Sequence, residues 1–247
     1  EQFALRMREA VEHANTQIHG YATDHPEVRG MGTTLTAAGV YEGQLFLAQV
    51  GDSRAYLIRG GNAFQLTKDQ SFTQRLIDAG ELTEEEAETN ARRNIILQAL
   101  GPDPRVKVVL SVQRLNRGDV LVVCSDGLTG LVRKGEIAAV VAGEGNLTLV
   151  CDRLIAMANE RGGPDNITVV AARFDGAGLP EPSSADAEPH PTVLRLPGAS
   201  ASYDDSLTPQ PQPAPVSPLA GPSTAVPDRA DLAPTGSRAA VYGIALL

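Results

Sequence analysis

Three aspartates lie beside glycine or proline at predicted strand boundaries. Asp52 lies in "QVGDSRAY" between two predicted strands, Asp126 follows the apolar run in "VLVVCSDG", and Asp165 precedes the β-branched run in "PDNITVV". Each one alone is ordinary turn chemistry, because a short carboxylate hydrogen-bonds readily to nearby backbone N–H groups. Together they indicate more, since a rigid sheet could hold three such side chains as a preorganised cluster.

A carboxylate cluster of this kind favours one class of chemistry. Neighbouring carboxylates repel one another unless a cation lies between them. Oxygen ligands without His or Cys favour Mg²⁺ or Mn²⁺ over Zn²⁺. Such ions lower the pKa of a bound water and screen the charge of a phosphoryl group. The cluster therefore suits metal-assisted hydrolysis of a phosphate ester.

The segments that would position the aspartates show two periodicities. Apolar residues recur every three or four positions as far as Ile18, which predicts an amphipathic helix that ends near Gly20. The period then changes to two over residues 33–50 and again over residues 53–66, with turn residues in the middle of each stretch. This pattern predicts an antiparallel meander of two hairpins.

A charged segment from Lys68 to Pro104 separates these strands from the next ones. Its capping-box pattern from Thr83 to Glu86 predicts a helical excursion. Two strands, two helices and a last strand that begins at Asn166 are predicted after it. Runs of strands combined with pairs of helices favour an α+β sandwich of antiparallel sheets over a parallel α/β sheet.

Composition divides the chain into three parts. Residues 1–176 carry the hydrophobic pattern of one domain, whereas 13 of the 17 prolines lie after Gly178. We interpret residues 177–238 as a disordered linker rich in Pro, Ala and Ser. The apolar residues 239–247 are either the start of a transmembrane helix or the apolar end of a disordered tail. A net charge of −9 without a basic cluster disfavours a nucleic-acid partner.

Five motifs in order resemble one protein family. They are RGMGTTL, VGDSRAYL, LTKDQS, GDVLVVCSDGL and GGPDNITVV, and they are similar to motifs of the PP2C-type (PPM) metal-dependent serine/threonine protein phosphatases in their bacterial form. The resemblance covers residues 1–174. It implies a four-layer αββα sandwich, in which helices flank two antiparallel sheets, with a dinuclear Mn²⁺ or Mg²⁺ centre at one end.

The resemblance implies a role for each aspartate. Asp126 and Asp165 would bind one of the two ions, and Asp52 would contribute, together with Asp126, to a weaker third metal site. Residues 68–98 would form a flap that tunes substrate access. Gln70 stands where relatives often have His, at a position that does not bind metal. No catalytic residue beyond the metal site and no substrate-binding residue is implied.

One part of the family pattern has no counterpart in this sequence. The family's first strands carry a phosphate-binding Arg and an Asp-Gly-x-Gly-Gly turn whose Asp bridges both metals. We therefore expect a PP2C-like domain that is incomplete at its N-terminus.

The resemblance implies an enzyme that hydrolyses phosphoserine and phosphothreonine in proteins by metal-activated water. Its partners would be phosphorylated proteins, including a Hanks-type kinase. The linker and the apolar end suggest a tether to the cell membrane with the catalytic domain in the cytoplasm; the alternative is a cytoplasmic protein. Two other functions stay open: an inactive phosphatase-like module that binds a partner, and a structural sandwich whose aspartates only form turns.

Overall fold

A computed structural model describes residues 1–90, 92–93, 95–183, 188–196 and 244–246. Within these ranges there are six α-helices and nine β-strands. In sequence they are α1 (Gln2–Asp24), β1 (Leu35–Tyr41), β2 (Gln44–Val50), β3 (Arg54–Arg59), β4 (Asn62–Gln65), α2 (Phe72–Asp78), α3 (Glu84–Thr89), β5 (Val109–Arg114), β6 (Asp119–Cys124), α4 (Asp126–Thr129), α5 (Lys134–Gly143), α6 (Leu147–Glu160), β7 (Val169–Phe174), β8 (Thr192–Val193) and β9 (Ile244–Leu246).

The strands form two antiparallel sheets that pack face to face. The first sheet has the order β8-β5-β2-β1-β9 and the second has the order β4-β3-β6-β7. Helix α1 covers the first sheet, where Phe3 meets Phe46 edge to face at 5.1 Å between ring centroids. Helices α5 and α6 cover the second sheet. The predicted α+β fold, an αββα sandwich of two antiparallel sheets, is confirmed.

Strand β6 shows why its sequence is a continuous apolar run. It lies between β3 and β7, with the other sheet on one face and helices on the other, and all six of its residues are buried. Leu121 and Val123 face the first sheet, whereas Val122 and Cys124 face α5 and α6. Full burial of a leucine or valine side chain contributes roughly 1.5–3 kcal/mol. The strand therefore gives its two ends a rigid support.

Both predicted hairpins are present, with the turns that the sequence indicates. Glu42 and Gly43 have φ values of 49° and 71°, and Gly60 and Gly61 have φ values of 57° and 79°. Positive φ at both central residues defines the turn that matches the twist of antiparallel strands. The capping box from Thr83 to Glu86 at the start of α3 is also present.

Two element boundaries differ from the sequence-based prediction. Helix α1 passes through Gly20 and ends at Asp24. It stops there because Pro26 disfavours helical backbone at the residue before it. Strand β7 begins at Val169 rather than at Asn166. The N–H of Thr168 donates to the side chain of Ser125, not to a strand carbonyl.

The C-terminal region also differs from its prediction. Residues 177–183 and 188–196 of the predicted linker lie on the domain, because Leu179, Leu194 and Leu196 pack against its core. Residues 197–238 lie outside the described residues. Of the predicted start of a transmembrane helix, only Ile244–Leu246 are described. These residues form β9, which pairs with β1. An edge strand attracts such pairing because its outer N–H and C=O groups would otherwise have no strand partner. Among the described helices, none has the length and apolar character that a bilayer span needs.

Candidate active site

Strands β3 and β6 bring Asp52 and Asp126 to the same end of the second sheet. Arg54 is opposite Cys124 in their antiparallel register. Asp52 lies two residues before Arg54, and Asp126 lies two residues after Cys124. Burial raises the pKa of Asp52, and the negative charge of Asp126 raises it further.

The turn before β3 is sharp, and a glycine makes it possible. Gly51 has a φ of +100°, and a Cβ atom there would come within 2.4 Å of the Thr34 methyl group. On the other side of Asp52, the Ser53 hydroxyl shares a 2.8 Å hydrogen bond with the Thr34 hydroxyl. The hydroxyl of Thr36 donates to the Ser53 carbonyl at 2.8 Å. Asp52 is therefore held between two residues that are fixed to β1 and the segment before it.

The segment with Asp165 is fastened to the helix that begins with Asp126. The Ser125 hydroxyl donates to the Asn166 carbonyl at 3.1 Å and accepts from the Thr168 N–H at 3.0 Å. Gly127 packs so closely that a Cβ atom there would come within 2.3 Å of the Asn166 carbonyl oxygen. The charge of Asp165 raises the pKa of Asp126. Asp165 lies in this loop before β7, not at the start of the strand.

Burial and neighbouring negative charge act together on two of the predicted site residues, Asp52 and Asp126. Asp52 is only 7% exposed, and burial, followed by the charges of Asp126 and Asp69, raises its pKa to about 7. Burial, followed by the charge of Asp165, raises the pKa of Asp126. Both carboxylates are therefore costly to ionise unless a cation joins them.

One ion pair at this site was not predicted from the sequence. Arg54 donates through Nε to Asp69 Oδ1 at 3.0 Å and through Nη2 to Asp69 Oδ2 at 2.7 Å. Its Nη1 donates to the Tyr56 hydroxyl at 3.2 Å. Arg54 lowers the pKa of Asp52 and Asp126, but less than burial raises them. The sequence places Arg54 in the same "GDSR" motif as Asp52, but no local pattern indicates Asp69, 15 positions away, as its partner.

The three aspartates fit a hard divalent cation by their chemistry. They offer only carboxylate oxygens, which hard divalent cations prefer. A dication would also offset the negative charges that, after burial, raise the pKa values of Asp52 and Asp126. In the part of the chain that the structure describes, no three carboxylate, His or Cys side chains are grouped closely enough to hold a metal ion together. Mg²⁺ commonly keeps several water ligands and uses one or two protein carboxylates, so this donor set is sufficient for partial coordination.

A cavity of about 250 Å³ lies beside the site, and Asp69, Gln70, Arg75 and Lys107 contribute to its lining. Because Asp69 also binds Arg54, this cavity is connected to the aspartates through one ion pair. A larger depression of about 590 Å³ lies between α5 and α6, and no aspartate lines it. Asp52, Asp126 and Asp165 are not among the lining residues of the smaller cavity, so only the Arg54–Asp69 ion pair relates that cavity to the site.

Comparison with known proteins gives a consistent result. A family model described as protein phosphatase 2C matches residues 2–76. The serine/threonine phosphatase stp of Listeria welshimeri serovar 6b is 39% identical over 170 residues, which cover 69% of this chain and 68% of that protein.

Solved structures agree with the sequence relatives. The serine/threonine phosphatase Stp1 of Staphylococcus aureus superposes with a TM-score of 0.67 at 39% identity, covering 69% of this chain and 67% of that one. The catalytic domain of the serine/threonine protein phosphatase PstP, solved in complex with two manganese ions, superposes with a TM-score of 0.59 at 37% identity, covering 66% of this chain and 67% of that one.

Proposed function

The chain belongs to the protein phosphatase 2C family, and from that premise we propose that it hydrolyses phosphoserine and phosphothreonine in proteins, with Mn²⁺ or Mg²⁺ bound at its three aspartates. The observation that carries this proposal is the placement of Asp52 and Asp126 at one end of β3 and β6, with the Asp165 loop hydrogen-bonded to Ser125 beside Asp126. In addition to burial, the charge of Asp126 raises the pKa of Asp52, and the charge of Asp165 raises the pKa of Asp126. Such a site binds cations and repels substrate until a cation is present.

Each of the three aspartates has its own role in the proposed metal binding. Asp126 and Asp165 would hold one ion, and Asp52 would share a further ion with Asp126. When bound, the ions supply an activated water and neutralise charge on the phosphoryl group. Because the pKa of Asp52 is about 7, a proton competes with the metal for this carboxylate, and metal binding at Asp52 weakens as the pH falls below 7.

A second candidate function is a phosphatase-like module that binds a phosphoprotein without turnover. It is favoured by one observation, that no three metal-ligating side chains are grouped in the described ranges. The two functions share a phosphoprotein partner and differ in whether inorganic phosphate is released.

The partners and the location follow from the same proposal. Phosphorylated Ser/Thr proteins, including a Hanks-type kinase, are the substrates that this chemistry would serve. The Pro-rich composition after Gly178 and the apolar residues 239–247 support a tether to the membrane with the domain in the cytoplasm, which requires Ile244–Leu246 to leave the edge of β1. Membrane fractionation of cells that produce the chain would test this location: recovery only in the soluble fraction would contradict it.

Phosphate release from a phosphothreonine peptide tests the function. We expect turnover that needs Mn²⁺, and a loss of at least about 100-fold in Asp126→Asn or Asp165→Asn, because each change removes an anionic metal ligand. Asp152→Asn on the exposed face of α6 is the matched control and should keep full activity.

Each outcome separates the candidates. Peptide binding without phosphate release would support the binding module. Full activity in Asp126→Asn would show that the metal site is assigned to the wrong residues.

A further inference from the structure

The excursion between β4 and β5 has a narrow neck. Residues 70–72 run beside residues 95–98: the Leu97 N–H donates to the Gln70 carbonyl at 2.8 Å, and the Phe72 N–H donates to the Ile95 carbonyl at 2.9 Å. Helices α2 and α3 lie between these two short segments. The excursion therefore joins the sandwich as a loop whose two ends are hydrogen-bonded to each other.

Gln70 fastens this neck to the turn that carries Asp52. The Gln70 N–H donates to the Gly51 carbonyl at 3.0 Å. In the other direction, the Gly51 N–H donates to Gln70 Oε1 at 2.7 Å. Both backbone groups of Gly51 are thus bound by one residue, and Gly51 directly precedes Asp52.

Gln98 connects the same oxygen to the far side of the neck. Its Nε2 donates to Gln70 Oε1 at 2.9 Å and to the Lys107 carbonyl at 2.7 Å. Its Oε1 accepts from the Lys107 N–H at 2.9 Å. Gln70 Oε1 therefore accepts two hydrogen bonds, one from the Asp52 turn and one from the end of the excursion.

These contacts give Gln70 a role that does not involve touching substrate or metal. We propose that Gln70 is a positioning residue, which couples the excursion over residues 71–97 to the Gly51–Asp52 turn so that a displacement of the excursion changes the position of the Asp52 carboxylate. The consequence for metal binding rests on the proposed function, whereas the coupling itself does not. A carbonyl oxygen suits this role because it accepts two hydrogen bonds at once.

Hydrogen exchange at the Gly51 amide, measured by NMR on the full chain, tests the coupling. Gln70→Met keeps the length of the side chain and removes the acceptor, and we expect Gly51 exchange to become about three- to tenfold faster, as the loss of one hydrogen bond predicts. Gln70→Glu keeps an acceptor oxygen and should exchange at Gly51 within about twofold of the native rate.

The matched control is Gln74→Met. Gln74 lies on the same excursion, but its side-chain Nε2 donates only to the exposed Asp78 at 3.0 Å. It should leave Gly51 exchange unchanged. Equal acceleration in Gln74→Met and Gln70→Met would overturn the proposal, because the effect would then be a general loosening of the excursion.

Gln98→Met tests whether the hydrogen bond between Gln98 and Gln70 contributes to the protection of the Gly51 amide. It should accelerate Gly51 exchange by about two- to threefold, and the Gln70→Met/Gln98→Met double variant should be no faster than Gln70→Met alone, since both changes act through one oxygen. Additive effects of the two changes would contradict coupling through Gln70.

A titration with Mg²⁺ alone connects the coupling to the site. Followed at the amides of Asp52 and Ser53, Gln70→Met should weaken the apparent affinity by about three- to tenfold, with Gln74→Met unchanged. If Mg²⁺ shifts no amide near the three aspartates in the native chain, the metal assignment fails, and the exchange rates alone decide the coupling. Native exchange at Gly51 in Gln70→Met would overturn the coupling whatever Mg²⁺ does.

Discussion

The pair of strands β3 and β6 has aspartates near both of its ends, and the carboxylates at the two ends have different surroundings. At one end, burial and mutual repulsion raise the pKa values of Asp52 and Asp126. At the other end, Asp119 accepts from Arg59 Nε at 2.9 Å and from Arg59 Nη2 at 2.6 Å. The negative charge of Asp119 is thus balanced by a directly bound arginine. At the other end, burial and neighbouring carboxylates outweigh the effect of Arg54 on Asp52 and Asp126.

This difference separates a stabilising end from the end that we propose as the functional site. Arg59 and Asp119 are 5% and 1% exposed, Asp119 also accepts from the Asn116 N–H at 2.8 Å, and Arg59 donates to the Arg114 carbonyl at 2.9 Å. This ion pair joins β3 and β6 to the end of β5 in the other sheet. At the aspartate end, Arg54 is bound by Asp69 and lowers the pKa values of Asp52 and Asp126 less than burial raises them. Electrostatic strain of this kind is typical of functional sites.

The largest effect is expected at the paired end. Arg59→Met leaves the buried Asp119 carboxylate without its cation, and we expect the free energy of unfolding to fall by about 3–5 kcal/mol. Urea denaturation followed by circular dichroism would measure it. The double variant Arg59→Met/Asp119→Leu should recover much of the loss, because no buried charge remains. A loss below about 1 kcal/mol in the single variant would contradict the comparison.

A smaller effect of opposite sign is expected at the aspartate end. The pKa of Asp52 lies at about 7, above its ordinary value of 3.8, so the folded state holds more protons than the unfolded state between these values. The metal-free protein therefore loses stability as the pH rises from 4 to 7. At pH 8 and in a chelator, Asp52→Asn should be more stable than the native chain by about 1–3 kcal/mol.

The pH dependence provides the control for this second effect. Below about pH 3, Asp52 is protonated in both the folded and the unfolded state, and the gain in stability from Asp52→Asn should vanish. Thermal unfolding at a series of pH values would measure the difference. A variant that is less stable than the native chain at pH 8 would show that Asp52 is not under electrostatic strain.

The smallest effect is expected at an ion pair beside the paired end but in solvent. Arg117 follows Asn116 and pairs with Glu181, whose side chain is 70% exposed. Glu181→Gln should lower the free energy of unfolding by less than about 1 kcal/mol, because exposed pairs are screened by water. If urea denaturation gave a loss comparable with that of Arg59→Met, then burial would not explain the strength of the Arg59–Asp119 pair.

The sequence predicted those features that depend on local pattern. Alternation and turn residues located both hairpins, and with them the turn that presents Asp52. Asp126 was located because an apolar run ends just before it. The predicted start of the last strand was wrong because Thr168 satisfies its N–H with Ser125, which is distant in sequence. No local pattern indicates that partner.

Contacts between distant segments explain what could not be predicted. The ion pair of Arg54 with Asp69 and the hydrogen bond between Gln70 and Gln98 join residues 15 and 28 positions apart. Their side chains are ordinary turn and loop residues when considered one at a time. The leucines of residues 177–196 were likewise not predicted as core residues, because they lie in a proline-rich stretch. Their contacts with the core are seen only in the structure, where Leu179 and Leu194 pack against it.

The neck of the excursion also bears on how this fold could change over time. Because residues 70–72 and 95–98 are bonded to each other, the chain between them closes on itself before it rejoins the sheets. Insertions and deletions there would cost little beyond loop entropy, since each doubling of loop length costs only about 0.6 kcal/mol. The excursion is thus an exchangeable cassette, which could diversify the surface beside the aspartates while β4 and β5 keep their places.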